Sequence, residues 1–344
     1  MSSPSIDAVT APRRSALPSF GWRLLGLLVL LLILAWGGLF ACSAIPLSGT
    51  QAIQALFSSH ATQVSDVVVR QLRLPRVLVA GLVGACLAAA GVLMQGLTRN
   101  PLASPGVFGV NAGAALGVAL VSTFAGWMGV MGQSTAAVLG GGIAWTLVML
   151  LGAAWRPGAD KGRLVLAGVA VAALCGALTR ASIILAEDQA AGVMTWLAGS
   201  VANARWVTWA QLWPVACASL LAAMALAPSL NILAVGDEQA RNLGMRLGWV
   251  RLAVGIVVLV LVSASVVAAG SLAFVGLLVP HMARALVGID HRKLLPASVV
   301  LGAALVIAAD VLGRAVAFPA ETPAGAVLAL IGAPWFIYMV RSRT

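Results

Sequence analysis

The sequence predicts an all-α polytopic membrane protein with about ten transmembrane helices. Three observations predict it. Of 344 residues, 61% are hydrophobic and only 9% charged, against roughly 25% charged in an ordinary soluble domain. The apolar residues form long runs rich in Leu, Ala, Val and Gly, which selects spanning helices over the short alternating strands of a closed barrel. The charges, 21 Lys+Arg against 10 Asp+Glu, punctuate those runs. So few charges cannot cover a water-soluble globule, and disorder requires low hydrophobicity. A soluble enzyme, a nucleic-acid binder and a disordered chain are therefore excluded, and the basic excess reads as orientation in a lipid membrane.

Residues 1–21 form a polar start carrying Arg13 and Arg14, and Arg23 follows at the edge of the first span. That span, Leu24–Ala44, has an apolar core longer than a signal peptide needs, so it reads as an uncleaved anchor. A polar connection over 45–71 leads to spans expected at 75–97, 113–131, 134–155, 164–186, 207–227, 249–269, 271–287, 295–314 and 323–340. Each matches the roughly 20 apolar residues that hydrocarbon demands. With the N-terminus inside, both termini are cytoplasmic. Of the 21 Lys and Arg, all but Arg70, Arg73, Arg76, Arg180, Arg205 and Arg314 then lie on the inner side, as the positive-inside rule requires.

Small residues at four-residue spacing, Gly109–Gly113–Gly117 and Ala80–Gly84–Ala88, predict close helix packing. Pro280 is expected to kink its span. Residues 100–113, interrupted by Pro101 and Pro105, read as an irregular segment buried in protein. The four cysteines form no CxxC pair and read as small buried residues. The chain has no GxxxxGK[ST] loop, so it does not hydrolyse nucleotide by itself. No metal-ligand spacing, HExxH or GxSxG is present, and neither a catalytic residue nor a cofactor is expected.

The charged residues gather in a few places. Arg70, Arg73 and Arg76 crowd the outer end of the second span, where forked guanidinium groups could dock an acidic partner, gather anionic solute or meet lipid headgroups. Asp310 stands one turn before Arg314, which allows a pair. The stretch 234–244 reads as a short cytoplasmic helix opened by Gly236, with Asp237 and Glu238 in its first turn, and closed by Gly244. It is either a plain connector or a lever for a soluble motor. Arg180, well inside a span, is expected to face a cavity or a partner, because an unpaired charge there is costly. An intramembrane enzyme or an uncoupled channel are the rival classes.

The blocks Arg73-Leu-Pro-Arg76, Arg99-Asn-Pro-Leu-Ala103, Gly236-Asp-Glu-Gln-Ala-Arg-Asn-Leu-Gly244, Phe274-Val-Gly-Leu-Leu-Val-Pro-His281, Asp290-His-Arg-Lys-Leu-Leu-Pro296 and Gly332-Ala-Pro334 resemble the FecCD-type permeases. These are membrane subunits of ABC importers for iron–siderophores, haem and vitamin B12. The resemblance implies a permease domain over 22–344 with the bundle of the vitamin B12 importer permeases, set in the bacterial inner membrane. It implies cytoplasmic ATPase subunits, a periplasmic substrate-binding protein and a second permease subunit. By motif, Arg73, Arg76 and Arg314 receive the binding protein's glutamates. Gly236, Asp237, Glu238, Ala240, Arg241, Leu243 and Gly244 form the ATPase-coupling helix. Stretches such as Ser43–Gly49, Leu185–Asp188 and Trp196–Gly199 look nearest to ferric dicitrate permeases, which implies a heterodimer, with a homodimer as the alternative. Arg180 would then offset the charge of an anionic chelate in the pathway. Haem, hydroxamate siderophores and vitamin B12 are the other solutes the resemblance leaves open.

Overall fold

The computed structural model describes residues 19–42, 48–57, 64–106, 108–152, 161–185, 193–194 and 196–341. Most of the expected N-terminal segment, and most of the Ser43–Gly49 and Leu185–Asp188 stretches, lie outside the described residues. The helices are α1 (Phe20–Phe40), α2 (Gly49–Phe57), α3 (Val64–Thr98), α4 (Val110–Phe124), α5 (Gly129–Leu151) and α6 (Lys161–Leu185). They continue as α7 (Trp206–Ala234), α8 (Asp237–Asn242), α9 (Leu247–Ala269), α10 (Val275–Val287), α11 (His291–Val316) and α12 (Ala324–Arg341).

The ten predicted spans all fall on apolar helices, but these are not equivalent. Seven are long enough to cross a membrane, while α4 and α10 have 15 and 13 residues and α12 is also short. At 1.5 Å per residue, α4 and α10 reach only about 20 Å of a core roughly 30 Å thick. Non-helical backbone completes each of them, over 99–106 and 108–109 for the first and 270–274 for the second. Ala103, Pro105 and Phe108 of the first stretch are buried, so part of its irregular backbone is enclosed by protein, as hydrocarbon requires, while Leu102 and Gly106 are exposed. Two expected boundaries are corrected. The third and fourth spans meet at a single 3₁₀ turn, Gly126–Met128, earlier than the composition suggested. The connection over 45–71 is also partly helical: it holds α2 and the first turns of α3, because Val64, Val67, Val68 and Val69 continue the apolar pattern of α3 outward.

α3 is the axis of the molecule. Its apolar window is 83% buried, against 11% for α1 and 22% for α6. α11, α9, α7 and α10 pack around it, α1 lies on α11, and α4, α5 and α6 form a second group joined through α9. Hydrocarbon supplies no hydrophobic force between helices, so close packing must hold them. At the α3–α11 crossing, a Cβ on Gly84 would lie 2.1 Å from the Gly302 carbonyl oxygen, and one on Gly302 2.3 Å from that of Gly84. The predicted Gly113 and Gly117 do the same for α4 and α5, against Gly140 and Ala136.

Pro280 of α10 shows how a proline is accommodated. It cannot donate to the carbonyl of Gly276, four residues earlier. Nε2 of Gln95, on α3, donates to that oxygen at 3.3 Å. Asp290 caps α11 by accepting from Arg292 N at 3.0 Å, and Asn231 of α7 donates to it at 2.6 Å. These bonds, the Asn231 one first, hold the Asp290 carboxyl below its ordinary value.

Gly84→Ala is expected to destabilise the protein by roughly 1–3 kcal/mol through overpacking. Gly26→Ala, where nothing lies within 4 Å of the added Cβ, should be nearly neutral. Thermal unfolding of the two variants in detergent checks the contrast.

Candidate functional site

Two charged stations occupy opposite ends of α3. The outer one begins where the helix widens into a π-helical turn, Val68–Arg73, just before Pro75. Pro75 has no N–H to give the carbonyl of Gln71, and the wider turn lets the helix run through it. Arg73 and Arg76, three residues apart, share one face. Both are buried, at 9% and 7% exposure, and Arg314 is more deeply buried at 1%.

Arg76 is held by two carboxylates of its own chain. Its Nε donates to both oxygens of Asp310 at 3.0 Å and its Nη2 to Oδ1 at 2.7 Å. Its Nη1 donates to Glu321 at 2.8 and 3.1 Å. Asp310 also pairs with Arg314, at 3.3 Å, so the predicted one-turn pair exists but is the longer of two. Arg314 Nη1 donates to the carbonyl of Ala41 at 3.0 Å and Nη2 to that of Gly38 at 3.1 Å, fastening α1 to α11. The three arginines expected as outward-projecting cations are therefore drawn into the bundle, and the chain itself supplies carboxylates to two of them. Arg73 differs. Its buried Nη1 has no hydrogen-bond partner among the described residues.

The inner station joins the end of α3 to α8. Arg99 closes α3 in the left-handed conformation, φ 50°, which strains a residue bearing a Cβ. Its Nη2 lies 3.2 Å from Asp237 Oδ1, and Arg251 of α9 reaches Oδ2 at 2.6 Å. Gly236 opens α8 at φ +117° and Gly244 closes it at φ +81°. Met245 N bonds the Ala240 carbonyl and Gly244 N that of Arg241, a Schellman closure. Ala240 is buried beneath α8, while Glu238, Arg241 and Leu243 are exposed. The predicted short helix is thus anchored at Asp237 and Ala240 and presents a mixed polar and apolar outer face.

Arg180 joins neither station. It lies on α6, five residues from the helix end at Leu185, and is exposed, as are Leu174, Leu178 and Ile184 on the same helix. No group of His, Cys, Asp or Glu among the described residues could hold a metal ion. Three contributors escaped the sequence reading: Glu321, Arg251 and Asn231. The outer cluster of arginines with few acids near it was the available signal for Glu321; the other two carried none.

Comparison with known proteins follows this geometry. The model of the FecCD transport family matches residues 27–342. The chain is 49% identical over 315 residues to the Fe(3+) dicitrate transport system permease protein FecC of Escherichia coli K12, covering 91% of this chain and 95% of that protein. FecD of the same organism, also named as a permease of the Fe(3+) dicitrate transport system, is 37% identical, covering 80% and 86%. A solved inward-facing metal-chelate-type ABC transporter superposes with a TM-score of 0.81 at 32% identity, covering 94% of this chain and 99% of that one.

Removing Arg76 alone leaves buried Asp310 with only its longer pair, to Arg314. Arg76→Ala is expected to lose up to about 3–5 kcal/mol, whereas replacing the buried triad Arg76, Asp310 and Arg314 together by apolar residues of similar volume should lose far less. Unfolding midpoints of the single and triple variants decide this.

Proposed function

The chain belongs to the FecCD transport family, and we propose on that basis that it is the permease subunit of a binding-protein-dependent ABC importer carrying ferric dicitrate into the cytoplasm. The observation that carries the proposal is the 49% identity, over nearly the full length of both chains, to a permease named for that solute. The setting we propose is the bacterial inner membrane with both termini cytoplasmic. Two differently named permeases of one dicitrate system resemble this chain, which supports a heterodimer with a second permease subunit.

The stations supply the mechanism. At the outer end, Arg73 offers a buried, unpartnered guanidinium nitrogen, which supports its receiving a carboxylate from the periplasmic binding protein. Glu321, with its side chain 40% exposed, is the neighbouring acid that an incoming carboxylate can displace from Arg76. Arg314, locked to α1 and Asp310, contributes field and rigidity. At the inner end, the exposed face of α8, with Glu238, Arg241 and Leu243, suits contact with cytoplasmic ATPase subunits. Arg99 and Arg251 clamp Asp237, so motion of α8 reaches α3 and α9 directly. α3 is therefore a rod with the docking arginines at one end and the lever at the other. ATP-driven closure of the motors rocks α8, and the paired permeases switch between outward and inward openings. The exposure of Arg180, on the thinly covered α6, supports a role in which it faces the second subunit and offsets an anionic chelate.

ATP-dependent uptake of radiolabelled iron into vesicles carrying the full complex tests the solute. Iron citrate should enter at least about tenfold faster than haem or a hydroxamate chelate, a transition-state preference of about 1.4 kcal/mol; equal rates remove the dicitrate assignment. Arg180→Ala should cut citrate uptake, and unchanged uptake sinks its pathway role. Asp237→Asn should keep ATP hydrolysis while losing most transport. Measuring both rates on one preparation separates uncoupling from simple inactivation.

A further inference from the structure

A cavity of about 710 Å³ lies between α5, α7 and α9, away from both stations and from α6. Ser200 N bonds the carbonyl of Ala269 at 2.8 Å, so the segment leading into α7 sits on the end of α9. Both helices therefore enter the cavity from the same end of the bundle, the end the positive-inside reading turns outward. Along α7 the lining runs from Asn203 and Thr208 to Val215; along α9 it runs from Gly270 down to Leu259. At 1.5 Å per residue this is a depth of about 15 Å, or one leaflet.

Polarity falls with depth. The mouth carries amides and hydroxyls, with Trp196 beside them, as at a membrane interface. The base is Val215, Leu259 and Val260. Between them, about 8 Å below the helix ends, Gln211 and Ser263 face the cavity from opposite helices. Ser263 is only 4% exposed, and its Oγ has no hydrogen-bond partner among the described residues. Gln211 is an exposed amide well inside an apolar helix. Both are donors that hydrocarbon leaves unsatisfied. Among the described residues lining the cavity, none is charged. An anionic chelate would find no counter-ion there, so the cavity suits an occupant other than the transported solute.

We propose that this cavity is a binding site for one outer-leaflet phospholipid. Its ester carbonyls accept from Gln211 and Ser263, its head lies among Asn203 and Thr208, and one acyl chain covers Val215, Leu259 and Val260. With no charge in the lining, the site does not select an anionic headgroup.

The full complex reconstituted with a trace of photoreactive phosphatidylethanolamine, bearing its reactive group near the esters, tests this without any substitution. Illumination and peptide mapping should place the cross-links within 206–215 and 259–270, and photoreactive phosphatidylglycerol should label the same peptides to within about twofold. Labels scattered over exposed α1 and α6, or found on a second permease chain, overturn the proposal. After exhaustive detergent washing, the wild-type chain should also retain one phospholipid by native mass spectrometry. Gln211→Leu with Ser263→Val should lower that retention about tenfold or more, since two hydrogen bonds to esters are lost. Unchanged retention refutes it, as does binding of radiolabelled iron citrate that the double variant abolishes.

Discussion

The bundle depends on backbones meeting where side chains are absent. Water drives soluble cores together by expelling apolar surface, but helices in lipid exchange one apolar neighbour for another, so contact itself must supply the attraction. α3 satisfies this at both crossings that matter most. Gly84 lies against Gly302 of α11, and Gly91 lies so near Gly276 of α10 that an added Cβ would be 2.0 Å from its carbonyl oxygen. Once α3 is enclosed this tightly, the positions of its two ends are fixed relative to α7, α9, α10 and α11. The charged stations inherit their geometry from that enclosure.

At the ends of α3, buried charge is mostly kept in company, the Arg73 guanidinium excepted. Arg76, Asp310, Arg314 and Glu321 form one connected set in which each carboxylate meets at least one guanidinium. A buried pair of this kind adds little net stability over an apolar filling, yet it is very sensitive to the loss of one member. Its value lies in fixing which faces of α3 and α11 meet, and in tying α1 to them through Arg314. The inner station is more exposed, and its pairs individually contribute less. It holds position by sharing one carboxylate between two helices.

The number and type of spans were legible because hydrocarbon imposes a length and a composition that a short window of sequence reveals. The short helix α8 was legible because Gly236, Asp237 and Gly244 act locally, on their own turn. What stayed hidden is non-local or sub-helical. Arg76 and Glu321 are 245 residues apart, and no spacing rule connects them; the one-turn neighbour Arg314 looked the better partner for Asp310 because adjacency was all that could be seen. The first turns of α3 were concealed by Arg70, Arg73 and Pro75, which imitate a loop and a helix start until the π-helical turn is known. The short α10 read as an ordinary span because the irregular backbone beside it, around Leu272, is itself apolar.

Arg99 concentrates two opposing demands in one codon. Its backbone sits where glycine is at ease and a side chain is strained by roughly 1–2 kcal/mol, yet its guanidinium ties α3 to Asp237 at the start of α8. Mutation to glycine would relax the backbone and cut that tie in the same event. Natural selection for a sturdier protein and for a responsive one therefore pulls this position in contrary directions, and a stability-guided redesign of the permease would choose the wrong residue there.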